Sequence, residues 1–448
     1  MKMEEYLRIV TEQIRCAGAR EMVSGELRDH ILDQAEAYEA EGMFEEEALE
    51  KAVQDMGDPV ETGVSLDRIH RPQLSVGILI LVGIISLGSI ALHAALGIYA
   101  REAPAVSGYL HRHVLYIVLG YILMLVIYRL DYSVLSRFAK PMAVIFLAVL
   151  LIGKRFFGMW INGAMLYIRM GSVALFLPTL LILYVPLFGA ILYSYRGEGC
   201  KGMGRIFLWA LIPTWFAFQL PAFSQGVILW GSFVTMTAVA VYKGWYRIPR
   251  KAGLAFLGLL FAAPPLMFLG AGILGRLATY QIARIQAFLT NSPDNNYLAI
   301  RMRELLENST LVGVNAGNVA EIAKLPGFNS DYIFVSLITT YGLLAGVLAA
   351  ALMFFLIIKV FRISFGQKNQ LGMILGCGCG IVYLLQTVLC LGMNLGLLPS
   401  TAVILPFFSS GGTGIIVAYI LLGLVLSVYR YKNILPEKAE KNAVRRVS

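Results

Sequence analysis

Ten apolar runs, separated by shorter polar stretches, constrain the fold of this chain more than any other feature. A helix needs roughly 17–25 apolar residues to cross the hydrocarbon core of a bilayer. The runs cover 75–99, 114–130, 139–153, 170–194, 206–222, 224–242, 252–274, 332–358, 371–393 and 411–429, and the short run 139–153 is the weakest of them. The chain is 58% hydrophobic and only 15% charged, outside the range of soluble domains. The sequence therefore predicts an all-α, polytopic membrane protein with about ten transmembrane helices.

Residues 1–72 form a separate acidic segment ahead of the first apolar run. They hold 18 of the 28 acidic and 8 of the 37 basic side chains, so their net charge is −10 and that of the remaining chain is +19. Apolar residues recur with helical spacing in three stretches, 3–16, 21–41 and 44–56. The sequence Met-Gly-Asp-Pro from Met56 ends the third helix, and it resembles the cytoplasmic prefix domains found ahead of some bacterial permeases. A regulatory or partner-binding role and a role as a plain soluble anchor are both open.

The distribution of Lys and Arg among the loops predicts the orientation of the chain. The first 70 residues lack the apolar core of a signal peptide, so the N-terminus is expected to stay in the cytoplasm. Every loop that then falls on the inner side carries at least three basic residues, in agreement with the positive-inside rule. Ten spans within a membrane domain 73–432 return the C-terminus to the cytoplasm, where 433–448 form a basic tail.

A loop of about 55 residues (275–331) on the predicted outer side is far longer than its neighbours, and loops of this length are usually functional or disordered. Asp331 ends the loop where it meets the next apolar run. Residues 73–448 contain only ten acidic side chains, and an ionisable group at such a boundary is costly unless it has a function. Read alone, Asp331 is also a candidate N-cap of the following helix, together with Asn329 and Ser330.

Two further outer segments contain residues that break or anchor helices. Segment 394–416 combines two prolines with the pair Gly411-Gly412. Broken backbone at membrane depth is tolerated only beside protein or a wet cavity, so this segment is expected to line a cavity near Asp331. Segment 158–178 places aromatic side chains, Tyr167 among them, at a membrane interface.

Four stretches of the chain follow the motifs of one bacterial family. LPGFNSDYIF (325–334) resembles LPE..TDFIF, and NLGLLPSTAVILPFFSSGG (394–412) is similar to N.GLLP.TG..LPF.S.GG. In shorter stretches, 284–294 resembles RI..FL.P..D and 341–346 resembles E.G..G. These are motifs of the SEDS family, the multispanning FtsW/RodA/SpoVE glycosyltransferases of bacterial cell-wall synthesis. The resemblance covers about 75–430 and leaves out the acidic segment.

The resemblance implies that the protein polymerises the lipid-linked disaccharide lipid II into glycan strands. The reaction would take place at the outer face of the bacterial cytoplasmic membrane, in division, elongation or sporulation. The essential aspartate of the family maps onto Asp331. Glycosyl transfer needs a base for the acceptor hydroxyl and cations for the pyrophosphate leaving group, which arginines bind bidentately. The candidate substrate-binding residues are Arg169, Arg284, Arg301, Arg303, Lys324, Asn394, Ser409, Gly411 and Gly412.

The same resemblance implies a set of partners. Lipid II, the membrane and a class B penicillin-binding transpeptidase are expected, and nucleic acid is not. No metal site is predicted, because the pair His111 and His113 lacks a third ligand nearby. Whether the reaction requires a divalent cation as a cofactor stays open.

Because the chain departs from the family pattern at several positions, two other classes of function stay open. Thr179 and Leu180 follow Pro178 where the family has a P-S-E…K pattern, and Thr339 and Thr340 replace an acidic pair. A transporter (flippase) of lipid-linked precursors is one alternative, although it should show inverted repeats and charges at mid-depth, which the sequence lacks. A catalytically inactive scaffold of the cell-wall machinery is the other, and the missing motif residues and the acidic segment favour it.

Overall fold

The computed structural model describes residues 1–15, 17–70, 72–99, 109–161, 164–171, 173–220, 223–273, 293–399 and 401–432. The chain divides into two compact units, Met1–Leu74 with the chain from Tyr429 onward, and Ser75–Val428. Helices dominate both units, and one small sheet lies in the second. The predicted all-α class is confirmed.

Four helices build the N-terminal unit: α1 (Met3–Gln13), α2 (Ala17–Ala40), α3 (Glu45–Asp55) and α4 (Pro59–His70). The first three lie where helical spacing predicts them, and apolar side chains such as Tyr6, Val10 and Ile31 form their shared core. Helix α4 was not predicted, because Gly57 and Pro59 were interpreted only as the end of α3. Asp58 instead caps a new helix, since its Oδ1 accepts hydrogen bonds from the N–H groups of Val60 (2.8 Å) and Glu61 (2.9 Å).

The second unit contains the remaining helices. They are α5 (Val76–Tyr99), α6 (Tyr109–Arg129), α7 (Val134–Arg137), α8 (Ala139–Phe157), α9 (Leu177–Leu180), α10 (Tyr184–Ser194), α11 (Cys200–Phe218), α12 (Phe223–Tyr242), α13 (Arg250–Ile273), α14 (Pro293–Glu307), α15 (Ala316–Ile322), α16 (Ile333–Tyr341), α17 (Leu343–Phe365), α18 (Gln370–Asn394) and α19 (Gly412–Arg430). A 3-10 turn joins α9 to α10.

Seven segments among the described residues are long and apolar enough to cross a membrane: Val76–Ile98, Leu110–Arg129, Leu177–Ser194, Phe223–Tyr242, Leu343–Phe365, Gln370–Asn394 and Gly412–Arg430. Helices α8, α11 and α13 occupy the positions of the other three predicted spans. Helix α18 is central, because it packs against α10, α12 and α17. Helices α6 and α17 bury only a minority of their residues, as expected of helices that face lipid.

A small antiparallel sheet follows α8. Its strands β1 (Gly158–Ile161), β2 (Ala164–Met170) and β3 (Val173–Phe176) pair in chain order. Tyr167 on β2 lies opposite Phe176 on β3, and their ring centroids are 5.1 Å apart. The Phe176 N–H donates to Thr413 Oγ1 at 2.9 Å, which ties the end of the sheet to the first turn of α19.

The predicted span 170–194 is wrong at its start, since the residues up to Phe176 are strand and the helical part begins at Leu177. Gly171 has φ +62°, a conformation that suits the tight turn between β2 and β3. An apolar run by itself does not distinguish a strand from a helix, and here it contains both.

The predicted span 332–358 is also wrong, because two helices replace it and Gly342 separates them with φ +92°. The groups freed by the break bond to the preceding loop: Leu343 N–H donates to Thr310 O at 2.9 Å, and Gly313 N–H donates to Tyr341 O at 3.2 Å. A side chain at position 342 would meet the Leu311 carbonyl oxygen at 2.6 Å, so this position requires glycine.

Candidate functional site

Asp331 lies in a tight turn immediately before α16. The turn forms around Gly327 (φ +77°), whose carbonyl accepts hydrogen bonds from the N–H groups of Ser330 (3.0 Å) and Tyr332 (2.9 Å). The Asp331 side chain is half-buried and packs toward Gly327; a Cβ atom there would lie 3.8 Å from Asp331 Oδ2. The turn thus holds a carboxylate at the boundary of the helix without burying it fully.

The N-cap position of α16 belongs to Tyr332, which makes no side-chain capping bond. Asn394 from the end of α18 supplies the cap instead, because its Oδ1 accepts a hydrogen bond from the Val335 N–H at 3.1 Å. The alternative in which Asn329, Ser330 or Asp331 is the N-cap residue is therefore not what the structure shows. The helix start leaves the Asp331 carboxylate out of the standard capping position.

Three consecutive carbonyl groups fix the backbone of the turn. Asn329 O accepts a hydrogen bond from the Ser410 N–H (2.7 Å) and Ser330 O accepts one from Ser409 Oγ (2.6 Å). Asp331 O accepts one from Asn394 Nδ2 at 2.8 Å. Asn394 and Ser409 are only 2% and 3% exposed, so in this conformation their side chains bond the turn rather than face an open cavity.

Ser409 itself sits in a strained turn. Its Oγ accepts a hydrogen bond from the Leu405 N–H at 2.8 Å while its own N–H donates to Leu405 O at 3.0 Å. Phe407 within this turn has φ +65°, a conformation that costs a bulky residue roughly 1–3 kcal/mol. Its ring is buried against those of Tyr383 and Tyr419, with centroids 5.7 and 5.2 Å away. Packing of the ring therefore stabilises the strained backbone that presents Ser409.

Gly411 and Gly412 follow this turn, and a different structural constraint favours glycine at each position. Gly411 is exposed, has open space around it, and adopts φ +150°. Gly412 begins α19, and a Cβ atom there would lie 2.5 Å from the Tyr116 ring. Gly412 therefore allows α6 and α19 to approach each other beside the turn of Ser409.

Tyr167 on β2 is a site residue that the sequence analysis placed only at a membrane interface. Burial raises the pKa of its phenol, and the negative charge of Asp331 raises this pKa further. The sheet thus lies within electrostatic reach of the carboxylate. Arg169 follows two residues later on the same strand, so it projects from the same face as Tyr167. In the sequence, the alternation of an aromatic and a basic residue, Tyr167 and Arg169, is the pattern that could have indicated this part of the site.

Among the residues that the structure describes, the predicted cationic side chains do not form one free cluster. Arg301 pairs with Glu304 (2.7 Å) and with Glu321 on α15, while Arg303 pairs with Glu307 at 3.2 Å. The remaining candidates lie elsewhere: Arg169 bonds the Gly171 carbonyl at 3.1 Å, Lys324 is exposed just after α15, and Arg284 lies outside the described residues.

The described part of the chain brings together no group of three His, Cys, Asp or Glu side chains suited to a metal ion. What it does bring together is one half-buried carboxylate, a phenol within its electrostatic reach, and a motif-rich frame that fixes the backbone of the turn that carries the carboxylate. A carboxylate can act as a general base toward a hydroxyl group that comes within hydrogen-bond reach of it.

Comparison with known proteins gives a consistent result. A family model described as "Cell cycle protein" and named for FtsW, RodA and SpoVE matches residues 74–434. Stage V sporulation protein E of Bacillus subtilis (strain 168) is 26% identical over 372 residues, which cover 80% of this chain and 97% of that protein. "Probable peptidoglycan glycosyltransferase FtsW" of Alcanivorax borkumensis is 26% identical over 381 residues, which cover 80% and 92%.

Two solved structures share the fold. A chain of a peptidoglycan synthase complex that coordinates polymerization and crosslinking matches with a TM-score of 0.63 at 20% identity, covering 80% of this chain and 98% of that chain. The Rod shape determining protein RodA of Thermus thermophilus matches with a TM-score of 0.57 at 18% identity, covering 80% and 97%. Both matches leave out about a fifth of this chain, and the family model begins only at residue 74.

Proposed function

The chain belongs to the FtsW/RodA/SpoVE family, and we propose that it is a peptidoglycan glycosyltransferase that polymerises lipid II into glycan strands. It is a multi-pass protein of the cytoplasmic membrane. We place the reaction at the outer face and both termini in the cytoplasm, which the basic residues of the predicted inner loops support.

One observation supports Asp331 as the catalytic residue. Its carboxylate is half-buried in a turn whose three carbonyls at 329–331 are each bonded by the motif-bearing chain at 394–410. A side chain that works as a general base must be held within hydrogen-bond reach of one hydroxyl. A frame of this kind supplies such placement, whereas a carboxylate that only interacts with solvent does not need it.

In the proposed step, the Asp331 carboxylate accepts the proton of the acceptor sugar hydroxyl. The hydroxyl oxygen forms a bond to the anomeric carbon of the donor sugar as the bond from that carbon to the pyrophosphate oxygen breaks. The lipid pyrophosphate leaves with the electron pair of the broken bond. Its negative charge needs cationic partners, because developing charge is stabilised best by groups already in place.

The candidate cationic partners differ in how well the structure supports them. Arg169 is the strongest candidate, since it shares a strand face with Tyr167 and its guanidinium has no carboxylate partner among the described residues. Arg301 and Arg303 are held by glutamates and would have to exchange a carboxylate for a phosphate. Lys324 and Arg284 remain candidates by position in the sequence. The buried Asn394 and Ser409, with Gly411 and Gly412, are better explained as the frame of the site than as direct substrate contacts.

A penicillin-binding protein that crosslinks the glycan is the proposed partner, and we expect a class B transpeptidase. The shared fold with a chain of a polymerizing and crosslinking synthase complex supports this assignment.

The test is polymerisation of labelled lipid II by the purified protein and by the variant Asp331→Asn. Loss of a general base typically costs a factor of about 100 to 10,000 in rate, so we expect turnover in the variant to fall by at least about 100-fold. Asp131→Asn is the matched control, because Asp131 is exposed and its Oδ1 accepts from the Ser133 N–H at 2.8 Å, a bond that asparagine preserves. Unchanged turnover in Asp331→Asn would refute the assignment.

A further inference from the structure

Three buried polar side chains on α5 and α6 lie beside the segment that holds Asp331. The rings of His93 and His113 stack with centroids 3.8 Å apart, and Ser89 lies one turn before His93. Exposure is 0% for Ser89 and His93 and 2% for His113. Polar groups inside membrane-spanning helices are expensive, and a cluster of three calls for a functional explanation.

The hydrogen bonds of the cluster have defined directions. Ser89 Oγ donates to the Phe408 carbonyl at 3.1 Å, so its only hydrogen is used there. The contact of 2.9 Å between Ser89 Oγ and His113 Nε2 then requires that Nε2 be the donor. His113 Nδ1 has no hydrogen-bond partner within the described part of the chain, which agrees with an unprotonated Nδ1. His93 Nδ1 donates to the Ser89 backbone carbonyl at 2.9 Å.

Phe408, whose carbonyl accepts the hydrogen bond from Ser89, lies next to the residues that hold the Asp331 turn. Phe408 precedes Ser409 and Ser410, which bond the carbonyls of Ser330 and Asn329. The cluster therefore reaches the turn through the Phe408 carbonyl and the two serines that follow it.

We propose that Ser89, His93 and His113 are positioning residues for Asp331, which fix the Phe408 carbonyl and thereby the segment 401–411 that bonds the turn. This inference rests on the proposed role of Asp331 as the base. None of the three side chains is exposed enough to touch substrate, so they act on the rate through the placement of the carboxylate. Small misplacements of a catalytic group reduce rates strongly even when the change is distant.

A purely structural role makes a different prediction. Buried serines often bond only their own helix, as Ser232 on α12 does by donating to Ile228 O at 2.7 Å with no exposure. Removing such a bond lowers the stability or the yield of the protein but leaves the turnover of each folded molecule unchanged. Ser232→Ala is therefore the matched control for Ser89→Ala.

Two substitutions of His113 test whether its N–H donor is required or only the volume of its side chain. His113→Gln keeps an N–H donor at the position of Nε2, whereas His113→Leu removes it. In Ser89→Ala and His113→Leu we expect kcat on labelled lipid II to fall at least about tenfold, with KM within about twofold of the parent, because the placement of the base changes and substrate contacts do not. His113→Gln should recover most of the loss, and Ser232→Ala should match the parent.

Hydrogen exchange at the backbone amides of 327–336 gives a readout that needs no catalysis. We expect faster exchange there in Ser89→Ala and His113→Leu, and parental exchange in Ser232→Ala and His113→Gln. Parental exchange in Ser89→Ala and His113→Leu, or a kcat within about twofold of the parent in both, would overturn the positioning role. If the parent itself fails to polymerise lipid II, the proposed function is refuted, and hydrogen exchange alone then decides whether the cluster holds the turn.

Discussion

The chain from α14 to α16 has two halves that different interactions hold in place. In the first half, Arg301 and Arg303 form ion pairs with glutamates of α14, and Arg301 also pairs with Glu321 on α15; every partner is at least one-third exposed. In the second half, the turn before α16 is fixed through its backbone by the almost fully buried Asn394 and Ser409. Exposed ion pairs contribute about 0–1 kcal/mol each, whereas a buried group left without its partner costs about 1–3 kcal/mol.

This difference suits the two tasks that glycosyl transfer sets. A base must stay in one place, and the buried hydrogen bonds to its turn would achieve this for Asp331, the proposed base. A cationic surface must accept and release a pyrophosphate, and arginines in weak ion pairs exchange a carboxylate for a phosphate at little cost. The same contrast predicts how strongly substitutions in each half affect the reaction.

The largest effect is expected for Asn394→Leu. The substitution leaves Asp331 O, Cys390 O and the Val335 N–H without their side-chain partner. We expect kcat to fall about 100-fold, because the turn loses its anchor, and the unfolding temperature to fall as well. The measurements are lipid II polymerisation and thermal unfolding in detergent.

Thr387→Val on the same helix is the control for this prediction. Thr387 is fully buried and its Oγ1 has no hydrogen-bond partner among the described residues, so an isosteric valine should change little. If Asn394→Leu lowers stability but retains parental kcat, the frame does not position the base.

An intermediate effect is expected for Arg169→Ala. The loss of a charge-assisted contact to phosphate costs about 1.5–3 kcal/mol, which raises the KM for lipid II roughly ten- to a hundredfold. In Arg303→Ala the KM for lipid II should stay within about twofold of the parent value, because the Arg303 guanidinium is exposed and already paired with Glu307. Equal effects of the two substitutions would show that the strand face of Arg169 has no special relation to the substrate.

The smallest effect is expected for Glu321→Gln, which removes one of the two carboxylates at Arg301. The lost ion pair is partly exposed, so the free energy of unfolding should change by less than about 1 kcal/mol. The KM for lipid II should fall by less than about twofold, because Arg301 then has one competing anion fewer. A large rise in KM would instead mean that the pair between α14 and α15 shapes the site.

Much of the fold and part of the site follow from the sequence. Apolar runs identify membrane helices because lipid offers no partner for the backbone, and the motif around Asp331 places this aspartate where the long loop meets the next helix. The start of 170–194 and the break at Gly342 were not predicted, because an apolar composition suits a strand, one helix or two helices equally well. For the run 332–358, the hydrogen bonds between 310–313 and the residues around Gly342 explain why it forms two helices.

The roles of individual polar residues were harder to predict than their positions. Asn394 and Ser409 were grouped with the arginines as substrate-binding candidates, since a motif shows that a residue type matters but not which way it faces. Tyr167 and His113 belong to elements distant in sequence from Asp331, and only the packing of the sheet and of α5 and α6 relates them to the turn.

The interruption at Gly342 has a mechanical consequence. An unbroken rod from Ile333 to Phe365 would transmit every tilt of its lipid-facing part to the turn of Asp331. Two segments joined through a glycine, with the junction braced by the loop at 310–313, transmit much less. We expect α17 to follow changes in bilayer thickness more readily than α16, which is anchored to Asn394. We therefore expect Asp331, the proposed base, to keep its position when the thickness of the surrounding bilayer changes.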